Sequence, residues 1–188
     1  MRTGRRRKTT VIRDKSGKSR GERAFVHPES LAVRRRELEM LGIKPDHALD
    51  ALAGFTLGLL RLRGRDNPKD PGGISQDQYE AGNTWSGIVH RHAAIMGYKL
   101  RIHTPSFVMV AGGTGTGSER DEETIAKAKE KYRKCYDALA EAGAKDPSGY
   151  LIAKTTYAVC VDSVPVYQMG PADYGYLRTG LNALVRVL

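Results

Sequence analysis

A chain of 188 residues, 28 % charged and 40 % hydrophobic, is long enough for one compact domain plus a tail, and its composition is that of a soluble protein. It holds no apolar run near the ~20 residues a membrane span requires, and its two cysteines, Cys135 and Cys160, are too few for a disulfide framework. The net charge of +10 is concentrated at one end: residues 1–23 hold ten Lys/Arg against Asp14 and Glu22, which leaves the remaining body close to balance.

That leading segment, MRTGRRRKTTVIRDKSGKSRGER, has little apolar content besides Val11 and Ile12. It cannot bury enough surface to offset the entropy of ordering, so residues 1–23 are expected to form a disordered basic arm. Blocks of like charge of this kind serve as nucleic-acid arms, as contacts to acidic proteins or membrane surfaces, or as solubilising tails. Nucleic acid is the expected partner, through Arg5, Arg6, Arg7, Lys8, Arg13, Lys15, Lys18 and Arg20. The basic start is not followed by an apolar core, so it does not read as a secretory signal. It is Arg-rich like a mitochondrial presequence, yet it carries acids and lacks an amphipathic face.

Residues 24–188 are expected to form a single helical domain. Pro28 suits a first helical position, and Leu31, Val33, Leu38, Met40 and Leu41 give a short helix ending at Gly42. Arg34, Arg35 and Arg36 with the neighbouring Glu37 and Glu39 read as a solvated face with local ion pairs. Asp46 is the expected cap of the next helix, which holds Leu49, Leu52, Ala53, Phe55, Leu57, Leu59 and Leu60. Gly54 and Gly58 within it imply close packing or a bend. It leaves through Arg61, Arg63 and Arg65 into the turn-forming GRDNPKDPGG.

The organising stretch follows at 74–97. Ser75 and Gln78 have capping-box spacing. Tyr79, Gly82, Trp85, Ile88, Val89, His92, Ile95 and Met96 then recur at helical steps and form one apolar stripe, and Gly97 is a left-handed stop. Helix, basic turn and capped helix share the outline of a helix-turn-helix, but the connection is longer than the usual three or four residues. An ordinary helical hairpin fits equally well.

From 81 to 118 there is no carboxylate, while Arg91, Lys99, Arg101, His90, His92 and His103 fall in that window. It is the second expected anion site. Short strands, as in one hairpin near 98–110, are compatible with the alternation in YKLRIH. The histidine spacing is not that of a zinc site, and neither a metal nor another cofactor is expected. AGGTGTGSERD lacks the lysine of a phosphate loop, so the glycines at 111–118 read as a flexible linker. Ser118 is the expected cap of a long helix reaching Ala142, with Ile125, Ala128, Tyr132, Cys135, Leu139 and Ala142 buried. Asp146-Pro147-Ser148 opens another helix, with Tyr150, Leu151, Tyr157 and Val161 as its apolar residues. Pro171 opens the last, whose stripe is Tyr174, Leu177, Leu181, Leu184, Val185 and Leu188. The fold class is therefore mainly α, a compact bundle of five to six helices.

Three segments resemble a known family. LGLLRLRG at 57–64, ISQDQYEAG at 74–82 and LRTGLNAL at 177–184 are similar to a small domain of undefined function from alphaproteobacterial and phage genomes. That domain resembles in turn the DNA-binding part of gene-transfer-agent activators. The basic arm and the glycine loop lie outside the resemblance, and no sigma-like stretch matches. The resemblance implies a phage- or prophage-type DNA-binding transcriptional regulator in the bacterial cytoplasm, at the nucleoid. The body would dock through Arg61, Arg63, Arg65, Gln76, Gln78, His90, Arg91, Lys99 and Arg101, since Gln and Arg can read adenine and guanine. Its expected partners are DNA or RNA, a host DNA-bending or transcription protein, and further copies of itself. A packaging-terminase small subunit or a virion or nucleoprotein component would use the same arm. No nucleophile-base pair or carboxylate pair stands out, so the chain does not read as an enzyme.

Overall fold

The computed structural model describes residues 28–98, 100, 122–144 and 148–188. Six α-helices occur among them: α1 (Pro28–Met40), α2 (Thr56–Asp66), α3 (Gln76–Met96), α4 (Glu122–Gly143), α5 (Tyr150–Cys160) and α6 (Pro171–Val185). The arm, most of the hairpin segment and the glycine linker lie outside the described residues, as do Ser118 and the Asp146-Pro147 start. Tyr98 and Leu100 are not in a strand.

Helices α3, α4, α5 and α6 each pack on the other three, and α2 covers α3 and α5. Trp85 and Val89 of α3, Cys135 and Leu139 of α4, Val159 and Cys160 of α5, and Leu177, Leu181 and Leu184 of α6 meet in the main core. Each fully buried leucine contributes about 2 kcal/mol of burial. Both cysteines are buried free thiols. Burial pushes the Cys160 thiol up to about 12.

Local signals set α3 as the sequence implied. The Ser75 hydroxyl accepts from Gln78 N–H at 3.2 Å, and Gln78 Oε1 accepts from Ser75 N–H at 2.9 Å. Gly97 closes the helix at φ 78°, a conformation that costs a side chain strain. Midway, Gly87 is exposed, and a Cβ there would meet nothing within 4 Å. Gly87→Ala should therefore raise stability by about 1 kcal/mol, seen as a higher urea midpoint at unchanged slope.

The helix expected from Asp46 onward is broken. Pro45–Leu49 and Ala51–Gly54 are separate 3-10 turns, and Phe55 is fully extended at φ −153°, ψ 154° before α2 begins. Asp46 caps nothing; it lies inside the first turn, whose preceding residue is Lys44. The cap falls instead to Asp50, which accepts from Leu52 N–H at 3.0 Å and diverts the backbone from a continuous helix. These turns and α1 enclose a second, smaller cluster of Leu38, Ile43, Ala48, Ala53 and Leu62.

Four expected stripes also differ in part. Val33 and Met40 of α1 are exposed, as are Val185 and Leu188 at the C-terminal end and Met96 at the end of α3. In α5, Tyr150 is 70 % exposed, whereas Ile152, Thr155, Thr156 and Val159 are buried. Two threonines on the inner side disguised which face of this helix points inward.

Candidate nucleic-acid interface

The candidate residues of the arm, together with Lys99 and Arg101, lie outside the described residues. Each of the three arginines of α2 has a partner within the body. Arg61 Nε donates to Gln76 Oε1 at 2.8 Å, and Gln76 passes its own amide to Glu80 at 2.7 Å. Arg63 Nε donates to Asp70 Oδ2 at 2.7 Å, with its guanidinium 5.6 Å from the Tyr174 ring centre. Arg65 reaches Asp50 at 3.2 Å and His47 Nδ1 at 3.0 Å. The other nitrogen of His47 is 3.0 Å from Asp66. Helix α2 is thus pinned by its cations to the turns on either side of it and to the start of α3.

Gln78 is placed differently from its expected role. It is 7 % exposed, its carbonyl is committed to the cap, and its amide donates to Asn182 Oδ1 at 2.8 Å. Its part is to join the start of α3 to α6, with no free edge for a base. Arg91 is exposed on α3, and His90 is half-buried beside it.

The three carboxylates of this cluster, Asp50, Asp66 and Asp70, are held below their ordinary pKa. The Asp50 carboxyl is lowered by the Leu52 N–H bond, against burial, with Arg65 helping. Burial alone would raise Asp66, but the His47 and Lys44 contacts outweigh it. Burial would likewise raise Asp70, and Arg63 with the Gly72 N–H reverses the sign. A carboxyl depressed in the folded state stabilises it above the unfolded pKa, and that stability is lost as pH falls through the folded value. The urea midpoint should therefore hold from neutral pH down to about 5 and fall below about 4, the unfolded carboxylate range. Asp70→Asn should lower the plateau and shrink the acid fall; an unchanged acid limb would refute the assignment.

One arrangement was not legible in the sequence. Four aromatic rings from α3 and α4 form a stack, and a fifth, from the segment after α3, meets it edge-on. Trp85 lies on Tyr132 with ring centres 5.4 Å apart, and His92 lies on the same tyrosine at 4.1 Å and 13° between planes. Tyr136 continues the stack from Tyr132 at 6.2 Å and 13°, and Tyr98 meets His92 edge-on at 5.9 Å. The Tyr98 hydroxyl is 2.9 Å from His92 Nδ1. Among the described residues, no three His, Cys, Asp or Glu side chains are grouped as a metal site, and no helix is long and apolar enough to cross a membrane.

Compared with known protein families, curated proteins and solved structures, the chain matches none.

Proposed function

We propose that this chain is a nucleic-acid-binding protein, a DNA-binding transcriptional regulator of phage or prophage type, in which a cationic leader supplies affinity and a helical body supplies placement. The observation that carries the reading is the segregation of charge: ten cations against two acids in 23 residues, joined to a body near balance. The α2 arginines reinforce it, because their partners within the body occupy them. The leader and the exposed Arg91 then carry the attraction for phosphate. The three segments that resemble the DNA-binding part of gene-transfer-agent activators support the regulatory assignment.

A gel-shift series on duplex DNA and on RNA of matched length tests the proposal. Binding at low salt, weakening steeply as salt rises, supports it; no shift with either polymer at low salt discards it. One observation favours a packaging or particle component instead. An apolar groove of about 340 Å³ lies between α1, α2 and the Val166–Gln168 turn, with Met40 and Tyr167 exposed at its edge. Light scattering separates the two: a ring or larger assembly points to the particle role, and a monomer or dimer to the regulator.

A further inference from the structure

We propose that the ring stack on α3 and α4 is a platform for the bases of single-stranded nucleic acid. The proposal deepens the reading above, on which it rests, by naming the form of polymer that the body itself takes.

The stack has a buried root and an open end. Trp85 is 1 % exposed and anchors it, Tyr132 and His92 are half-buried in the middle, and Tyr136 and Tyr98 are 53 % and 44 % exposed at its outer edge. Rings locked by neighbours lose little entropy when another ring is added, so the open end is prepared for a flat, apolar partner. Any base offers such a face, whatever its sequence, but only when it is free of a duplex.

Cations accompany the rings. On α4, Lys129, Tyr132, Arg133 and Tyr136 fall at i, i+3, i+4 and i+7, which places them along one side of the helix. Lys129 is close enough to His92 that its charge, after burial, lowers the imidazole pKa. Burial and this charge both favour the neutral imidazole, which lies flat on Tyr132. Arg133 is 81 % exposed, and its ion pair with Asp137 is 3.9 Å long in open solvent. Such a pair is worth little and yields easily to a phosphate. Arg91 adjoins His92 on α3 and is also exposed. A strand laid along α4 would set its bases on the tyrosines and its phosphates on these cations. An aromatic face alone would suit a proline-rich peptide as well; the interleaved cations favour a polyanion.

The test uses the full chain and two labelled probes in anisotropy titrations, a deoxythymidine oligomer of about 20 nucleotides and a duplex of equal length. Tyr136→Ala should weaken single-strand binding about ten-fold and leave duplex binding unchanged. Tyr136→Phe, which keeps the ring, should restore it. Tyr136 is exposed, so neither change should disturb the fold, and circular dichroism checks that. Equal loss on both probes, or no loss on the single strand, overturns the platform while leaving nucleic-acid binding intact. Failure of the parent protein to bind either probe overturns both. A proline-rich peptide that binds the parent and displaces no oligomer reassigns the stack and overturns it too.

Discussion

Deletion of residues 1–23 is expected to remove most of the salt dependence of nucleic-acid binding. Each phosphate neutralised by a cation releases condensed counterions, with a slope of about −0.9 per contact on duplex DNA. If most of the ten leader cations engage, affinity should fall about 10³- to 10⁴-fold between about 50 and about 200 mM salt. The truncated protein should be nearly flat over the same range, with weak binding at low salt. Replacing Arg5, Arg6, Arg7 and Lys8 by glutamine should give an intermediate slope. Arg61, Arg63 and Arg65 could supply a steep residual slope only by leaving Gln76, Asp70 and Asp50. A truncated protein that retained the full slope would therefore place the electrostatics in the body.

Gly58→Ala is expected to be strongly destabilising, although the same change in a helix is ordinarily favourable. Replacing a helical glycine by alanine gains about 1 kcal/mol of propensity, as expected at Gly87. At Gly58 an added Cβ would fall on the Leu52 carbonyl oxygen, and 2.8 Å from its carbonyl carbon. These are backbone atoms of the Ala51–Gly54 turn, whose start is fixed by Asp50, so no side-chain rotation relieves the overlap. The turn must shift or α2 must withdraw from it, at a cost on the order of 2–3 kcal/mol. Thermal unfolding should come roughly 5–10 °C lower. The Gly58→Ala and Gly87→Ala changes should thus differ in sign, and a neutral result at Gly58 would mean that the turn is not seated on α2 as described.

What could be read from the sequence was what depends on near neighbours. Ser75, Gln78 and Gly97 bounded α3 because caps are closed by residues three or four apart, and Pro171 marked α6 for a similar reason. The α6 stripe of Leu177, Leu181 and Leu184 was legible by period alone. The break at Phe55 was not, because a leucine-rich run masks it and the diverting hydrogen bond, which Asp50 accepts from Leu52 N–H, leaves no mark in the hydrophobic pattern. The inner face of α5 was hidden because Thr155 and Thr156 are polar and yet buried. At the candidate site, the arginines of α2 could be found in the chain but not their partners: Asp50 and Gln76 are both 15 residues distant from theirs. The ring stack needed tertiary structure altogether. Periodicity places His92 and Tyr132 each on a buried stripe, but no spacing tells that they lie face to face.

The leader enters the protein at α1, and α1 rests on the minor cluster around Leu38 and Leu62. Leu41 and Leu59 also touch the main core, but α3 to α6 are held together by contacts that α1 does not supply. A layer packed on so small a cluster is expected to open at lower free energy than the whole. Tension on the leader from a captured polymer would be taken up there, by partial release of α1. In that case α1 would yield first, while α3 and α4, held by the main core, would keep their rings in place.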